Sequence, residues 1–153
     1  MTLHIGEQAP AFQGKDQTGK TIQLSDYKGH KLAIYFYPKD NTPGCTVQAC
    51  NLRDNYTLLQ NNGIQILGVS IDSETSHEKF IKKFDLPFPL LADIDKEMVN
   101  QYGVWVEKSM YGKTYMGIAR TTFLIDENGK IINIIAKVDT KDHTSQIINA
   151  LQL

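Results

Sequence analysis

The apolar positions of this chain follow two patterns. Residues 31–37 (KLAIYFY) and 64–71 (IQILGVSI) are near-continuous apolar runs rich in β-branched and aromatic members. Runs of that kind predict strands buried on both faces. Between them, Cys45, Ala49, Leu52, Tyr56 and Leu59 recur at helical spacing. They predict one amphipathic helix over residues 43–61, ended by Asn62-Gly63. Phe80, Ile81 and Phe84 give the same periodicity to a helix over 74–84. Shorter elements fill the rest. Residues 16–20 (DQTGK) form a turn between two short N-terminal segments, and a short strand follows Pro87 and Pro89 at residues 90–91. A short helix is expected over 96–102. Residues 120–126 and 130–136 flank Glu127-Asn128-Gly129 as a hairpin, and a last helix covers about 144–151. Trp105, Met110, Tyr111, Tyr115 and Met116 read as a packed loop, with an apolar lip for bulky substrates as the weaker alternative.

Strands alternating with helices predict a sheet covered on both faces, and the late hairpin adds an antiparallel part. A thioredoxin-like α/β fold satisfies this order, with a mixed central sheet and an N-terminal β-hairpin extension. Residues 1–153 are expected to form one domain, a length that buries a core without staples. Lysine plus arginine number 16 and aspartate plus glutamate 17, a net charge of −1. That balance offers no bulk field for nucleic acid or an anionic membrane, so neither is expected as a partner. The first dozen residues lack a basic region followed by an apolar stretch, and no apolar run approaches a membrane span. A cytoplasmic location is therefore expected. Two cysteines, Cys45 and Cys50, exclude a disulfide-dense scaffold.

The chemistry concentrates in Pro38-Lys39-Asp40-Asn41-Thr42-Pro43-Gly44-Cys45, where the first buried strand hands over to the first long helix. Sites in open α/β sheets form at the carboxyl ends of strands. Thr42 suits the N-cap and Pro43 the first helical position, which puts Cys45 third in the helix. Unpaired N–H groups and the helix dipole favour a thiolate there. Cys50 lies about 140° around the helix, with Cα about 8.6 Å from that of Cys45. Cysteines more than about 7 Å apart cannot bond without backbone movement, so a bond between these two requires the helix start to unwind.

The run Pro38-x-x-x-Thr42-x-x-Cys45 resembles the active-site motif of peroxiredoxins. The longer YFYPKDNTPGCTVQAC is similar to the peroxiredoxin Q, or bacterioferritin comigratory protein, group. GEQAPAF (6–12), GVSIDS (68–73), GVW (103–105), GKTYMGI (112–118) and RTTFLIDENGKI (120–131) extend the likeness along the chain. Val106 departs from the pattern, where a smaller residue is expected. The resemblance implies a thiol peroxidase for hydrogen peroxide and organic hydroperoxides. Cys45 would become a sulfenic acid and Cys50 would resolve it as an intramolecular disulfide. Thioredoxin or a similar dithiol would restore both thiols. Thr42 would orient thiolate and peroxide, Arg120 would stand beside the thiol, and Pro38 would shield it. The Cys45 N–H, Thr42 hydroxyl and Arg120 guanidinium are then the expected donors to the reacting oxygens. The resemblance also implies a monomer that uses no metal and no organic cofactor.

Other readings of the two cysteines fit the sequence less well. A dithiol/disulfide reductase would favour Cys-x-x-Cys, whereas four residues intervene here. A cysteine-based metal-binding module would show closer cysteines and paired histidines, and His4, His30, His77 and His143 are scattered. Those histidines are expected to be surface or structural residues.

Overall fold

The structure, a computed structural model, describes residues 3–151. Seven strands form one mixed sheet. Its centre is β3 (Lys31–Phe36) and β4 (Ile64–Ser70), the two apolar runs, paired in parallel. β5 (Leu90–Ala92) continues the parallel part beyond β4. β1 (Gln13–Asp16) and β2 (Thr21–Gln23), the N-terminal hairpin, extend that edge antiparallel. On the other side β8 (Thr121–Ile125) runs antiparallel to β3 and carries β9 (Ile131–Ile135).

Alternation along β3 makes two cores. Leu32, Ile34 and Phe36 point to one face, where they meet Phe12 and the buried Met98, Val99 and Tyr102 of α4 (Glu97–Gln101) and its C-cap. Ala33 and Tyr35 point to the other, against α1 (Pro43–Asp54), α2 (Tyr56–Asn61), α3 (Glu74–Phe84) and α5 (His143–Ala150). Helices thus cover both faces as expected, four on one and one on the other. None of the described helices is long and apolar enough to cross a membrane.

Two expectations are corrected. The helix expected over 43–61 is two helices that meet at Asn55, which has φ −111° and ψ 16°. The Asn55 side chain donates to the Asn51 carbonyl at 2.8 Å, the kind of local competition that ends helices. The stripe nevertheless holds: Cys45, Ala49, Leu52 and Leu59 are buried and Tyr56 is half-buried. The packed loop expected around Trp105 to Met116 is instead a two-stranded hairpin of β6 (Trp105–Met110) and β7 (Lys113–Ile118). Tyr111 and Gly112, both at positive φ, make its two-residue turn. Met110, Tyr111, Tyr115 and Met116 are exposed, and Tyr111 is 98% exposed.

Candidate active site

Strand pairing assembles the site at one end of the sheet. Phe36, the last residue of β3, pairs with Thr121, the first of β8. Arg120 therefore sits level with the loop that leaves β3, although 75 residues separate it from Cys45. β4 runs parallel beside β3, so Ser70 and Asp72 emerge at the same end.

Cys45 occupies the third position of α1 and is 2% exposed. The helical ladder begins with the Thr46 N–H donating to the Thr42 carbonyl at 2.8 Å. The Gly44 and Cys45 N–H groups thus have no acceptor within the helix. Arg120 Nη2 donates to Cys45 Sγ at 3.3 Å, and its Nη1 donates to Gln48 Oε1 at 2.7 Å. Gly44 permits this approach: a Cβ there would stand 3.3 Å from Arg120 Nη2. Gln48 is fully buried and escaped the sequence reading. Its place three residues after Cys45, on the same helical face, was the available signal. A second cation also escaped notice. Burial first, and then the Arg120 charge, lowers the Lys108 pKa, while Cys45 acts in the opposite direction. The hairpin thus holds an ammonium within the field of both groups.

Thr42 has the extended backbone of an N-cap, but its side chain makes no cap bond. Its hydroxyl donates to the Lys39 carbonyl at 2.9 Å. The hydroxyl is thus engaged by the loop backbone, and its oxygen lone pairs remain. Pro38 is half-buried in the same loop. Cys50 is half-buried one and a half turns further along α1, and both cysteines are free.

The loop itself rests on a buried polar hub. The Tyr37 hydroxyl donates to Asp40, while burial, followed by the charges of Tyr35 and Asp40, pushes the Tyr37 phenol well above its ordinary pKa. Asp40 also meets His77 Nδ1 at 2.7 Å and accepts from Ser76 Oγ at 2.8 Å. Its backbone N–H donates to Asp72 Oδ2 at 2.8 Å. Among the described residues, Asp40, Asp72 and His77 are the one group of three ligand-type side chains close enough for a cation. The group contains neither cysteine, and hydrogen bonds within the protein occupy its inward-facing atoms. His77 and His143 are fully buried and hydrogen-bonded, and His4 and His30 are exposed, as expected of structural and surface histidines. One cleft of about 330 Å³ lies between residues 8–12, 23–30 and 125–129, and one of about 340 Å³ lies between Asp40–Asn41 and α3. Cys45 lines neither.

A buried thiol in the first turn of a helix, beneath an arginine, on a sheet of this topology defines a class of thiol peroxidase. The AhpC/TSA family model matches residues 5–134. Peroxiredoxin Bcp of Bacillus subtilis is 45% identical over 152 residues, covering 99% of this chain and 97% of that protein. Peroxiredoxin Bcp of Escherichia coli K12 is 45% identical over 150 residues, 98% of this chain and 96% of that protein. Among solved structures, Xanthomonas campestris peroxiredoxin Q superposes with a TM-score of 0.86 at 38% identity, over 92% of this chain and 89% of that one. A PrxQ mutant from Xylella fastidiosa gives 0.92 at 31% identity, over 99% and 97%. The chain belongs to the Bcp/peroxiredoxin Q family of the AhpC/TSA peroxiredoxins. It is a thiol-dependent peroxidase, which requires a peroxide substrate and a thiol reductant, and its two cysteines are consistent with an intramolecular disulfide.

Proposed function

We propose that residues 1–153 act as one catalytic domain in which Cys45 is the peroxidatic thiol and Cys50 resolves it. The observation that carries this reading is the Arg120 Nη2 contact to Cys45 Sγ at 3.3 Å, in the first turn of α1. A thiolate there faces free N–H groups and a guanidinium, both of which favour its charge. It attacks one oxygen of the hydroperoxide and the O–O bond breaks. The sulfur becomes sulfenic acid, and the leaving oxygen takes a proton and departs as water or an alcohol. Arg120 and the Cys45 N–H stabilise the charge that develops on both oxygens. Thr42 accepts from the hydroperoxide O–H, since its own proton is held by Lys39. Pro38 covers the loop side of the site.

Cys50 then attacks the sulfenic sulfur, a disulfide forms and water leaves. Both cysteines lie within the continuous helix α1. Their Cα atoms are about 8.6 Å apart in ideal geometry, so the bond forms after the first turns unwind. Thioredoxin or a similar dithiol protein supplies two electrons, restores both thiols and takes up the disulfide. A monomer suffices, because every residue named here belongs to one chain. A reducing thiol pool of the kind found in cytoplasm suits the cycle.

Stopped-flow oxidation by hydrogen peroxide and by organic hydroperoxides, followed by reduction with thioredoxin, tests the reading. Rapid oxidation and full recovery of both thiols by thioredoxin are expected. Recovery by thioredoxin at the wild-type rate in Cys50→Ser would overturn the assignment of Cys50.

A further inference from the structure

Asp40 stands five residues before Cys45, on the loop, and is buried. Its carboxylate receives Tyr37 Oη, Ser76 Oγ at 2.8 Å and His77 Nδ1 at 2.7 Å. His77 Nε2 lies 3.0 Å from the Leu91 carbonyl. A carbonyl oxygen accepts and never donates, so Nε2 carries a proton. The contact between Nδ1 and Oδ2 needs a second proton between them. Imidazole and carboxyl are therefore joined by a proton of their own, whichever of the two carries it.

Asp40's partners from outside its own segment stand on framework elements or are held by them. Ser76 and His77 belong to α3, Leu91 to β5, and Asp72 is held by Ser70 Oγ of β4 at 2.7 Å. The far end of the cysteine segment has its own tie. Asn51 Nδ2 donates to the Lys141 carbonyl at 3.1 Å, and the Thr144 N–H of α5 donates to Asn51 Oδ1 at 2.8 Å. Residues 41–50, with both cysteines, lie between these two ties. Among the described residues, the side-chain hydrogen bonds joining this stretch to other elements are those of Arg120 to Cys45 and Gln48, and one of 3.4 Å from Lys83 to Asn41. Oxidation of Cys45 disturbs one of these bonds, and what then resists unwinding between the two ties is the Arg120–Gln48 bond and the burial of Gln48 and Ala49.

We propose that the Asp40–His77 pair is the positioning latch that bounds this segment on its N-terminal side and sets the balance between its helical, peroxide-reactive form and its unwound, disulfide-forming form. The inference rests on the reading of Cys45 and Cys50 above. With the latch intact, unwinding starts beyond Asp40, and the loop returns Thr42 and Cys45 to the same place after each cycle. With the latch broken, unwinding spreads back toward Pro38. The helical form is then less populated, so oxidation slows while disulfide formation quickens. Opposite changes in two successive steps distinguish a latch from a general loss of stability.

The test uses reduced wild type, Asp40→Ala and Asp40→Asn. Asparagine can accept from Tyr37 and donate to a His77 that has lost its Nδ1 proton, so it restores most contacts. Amide exchange and single-turnover oxidation are read on each. For Asp40→Ala, exchange at residues 43–50 is expected to quicken by about fivefold or more, with β3 and α5 unchanged. The peroxide step should slow by about threefold or more and the disulfide step should quicken by a similar factor. Asp40→Asn should return all three values most of the way to wild type. Unchanged exchange at 43–50 would overturn the latch. So would a parallel fall of both rate constants with the melting temperature. Should Asp40→Ala fail to fold, His77→Gln decides the matter by the same readouts. If peroxide left wild-type Cys45 unoxidised, the catalytic reading would fail, while the exchange arm would still decide the latch.

Discussion

Replacing Arg120 with alanine removes the guanidinium that donates to Cys45 Sγ at 3.3 Å. A unit charge pair at that distance interacts by about 5 kcal/mol at an effective dielectric of about 20. Arg120 is half-buried, so water screens part of this. Loss of one preorganised donor to a developing oxyanion typically costs about 2.7–4 kcal/mol, a factor of about 10² to 10³ in rate. The second-order rate constant for Cys45 oxidation should therefore fall by about 10² to 10³. The fold should survive. The main structural loss is the Arg120 bond to Gln48 Oε1, worth about 1–3 kcal/mol. Stopped-flow oxidation under excess hydrogen peroxide, paired with thermal unfolding, separates the two effects. A fall of less than about fivefold in a folded variant would refute the reasoning, because a charge in contact with the reacting sulfur cannot be so nearly neutral to its reaction.

Other outcomes are open to direct measurement. Asn51→Ala removes the two bonds that the Asn51 side chain makes, to the Lys141 carbonyl and from the Thr144 N–H, and should cost about 1–3 kcal/mol, read from urea unfolding midpoints. Gly68→Ala puts a Cβ 2.6 Å from Leu90 Cδ2 and 2.9 Å from the Tyr35 ring, both fully buried. Overpacking of about 1–3 kcal/mol should lower its melting temperature. His143 is held neutral mainly by burial, which lowers its pKa. Its Nε2 faces the Thr122 hydroxyl at 2.7 Å and its Nδ1 faces Gln146 Oε1 at 2.8 Å, a neutral tautomer's arrangement. Below pH about 6.5 the unfolded chain therefore binds a proton that the folded chain does not, and stability falls by up to about 1.4 kcal/mol per pH unit. Unfolding at pH 7.5 and 5.5 should show a smaller difference in His143→Gln than in wild type.

The central strands were legible because β3 and β4 are buried on both faces and so carry unbroken apolar runs. The Cys45 loop was legible because strand, Pro38, Thr42 and helix start follow one another locally. The β6–β7 hairpin was not. Its strands lie on the surface, and a mixture of Met, Tyr, Lys and Glu shows no clean alternation. Tyr111-Gly112 was the overlooked turn signal. The break at Asn55 was masked because apolar spacing continues through it from Leu52 to Leu59. Arg120 was found through its motif, but its ion-like contact to Cys45 depends on pairing β8 with β3. Asp40 and His77, 37 residues apart, had no local signature at all. Their meeting is a product of α3 packing beside the loop, and polar residues at such spacing look like any solvated pair.

The most direct measurement is the intact mass and free-thiol count after one equivalent of hydrogen peroxide. Wild type should lose both thiols and two hydrogens with no added oxygen, and Cys50→Ser should gain one oxygen at Cys45. Two thiols surviving in the wild type, or an added oxygen with the Cys50 thiol intact, would contradict a cycle that runs through a Cys45–Cys50 disulfide.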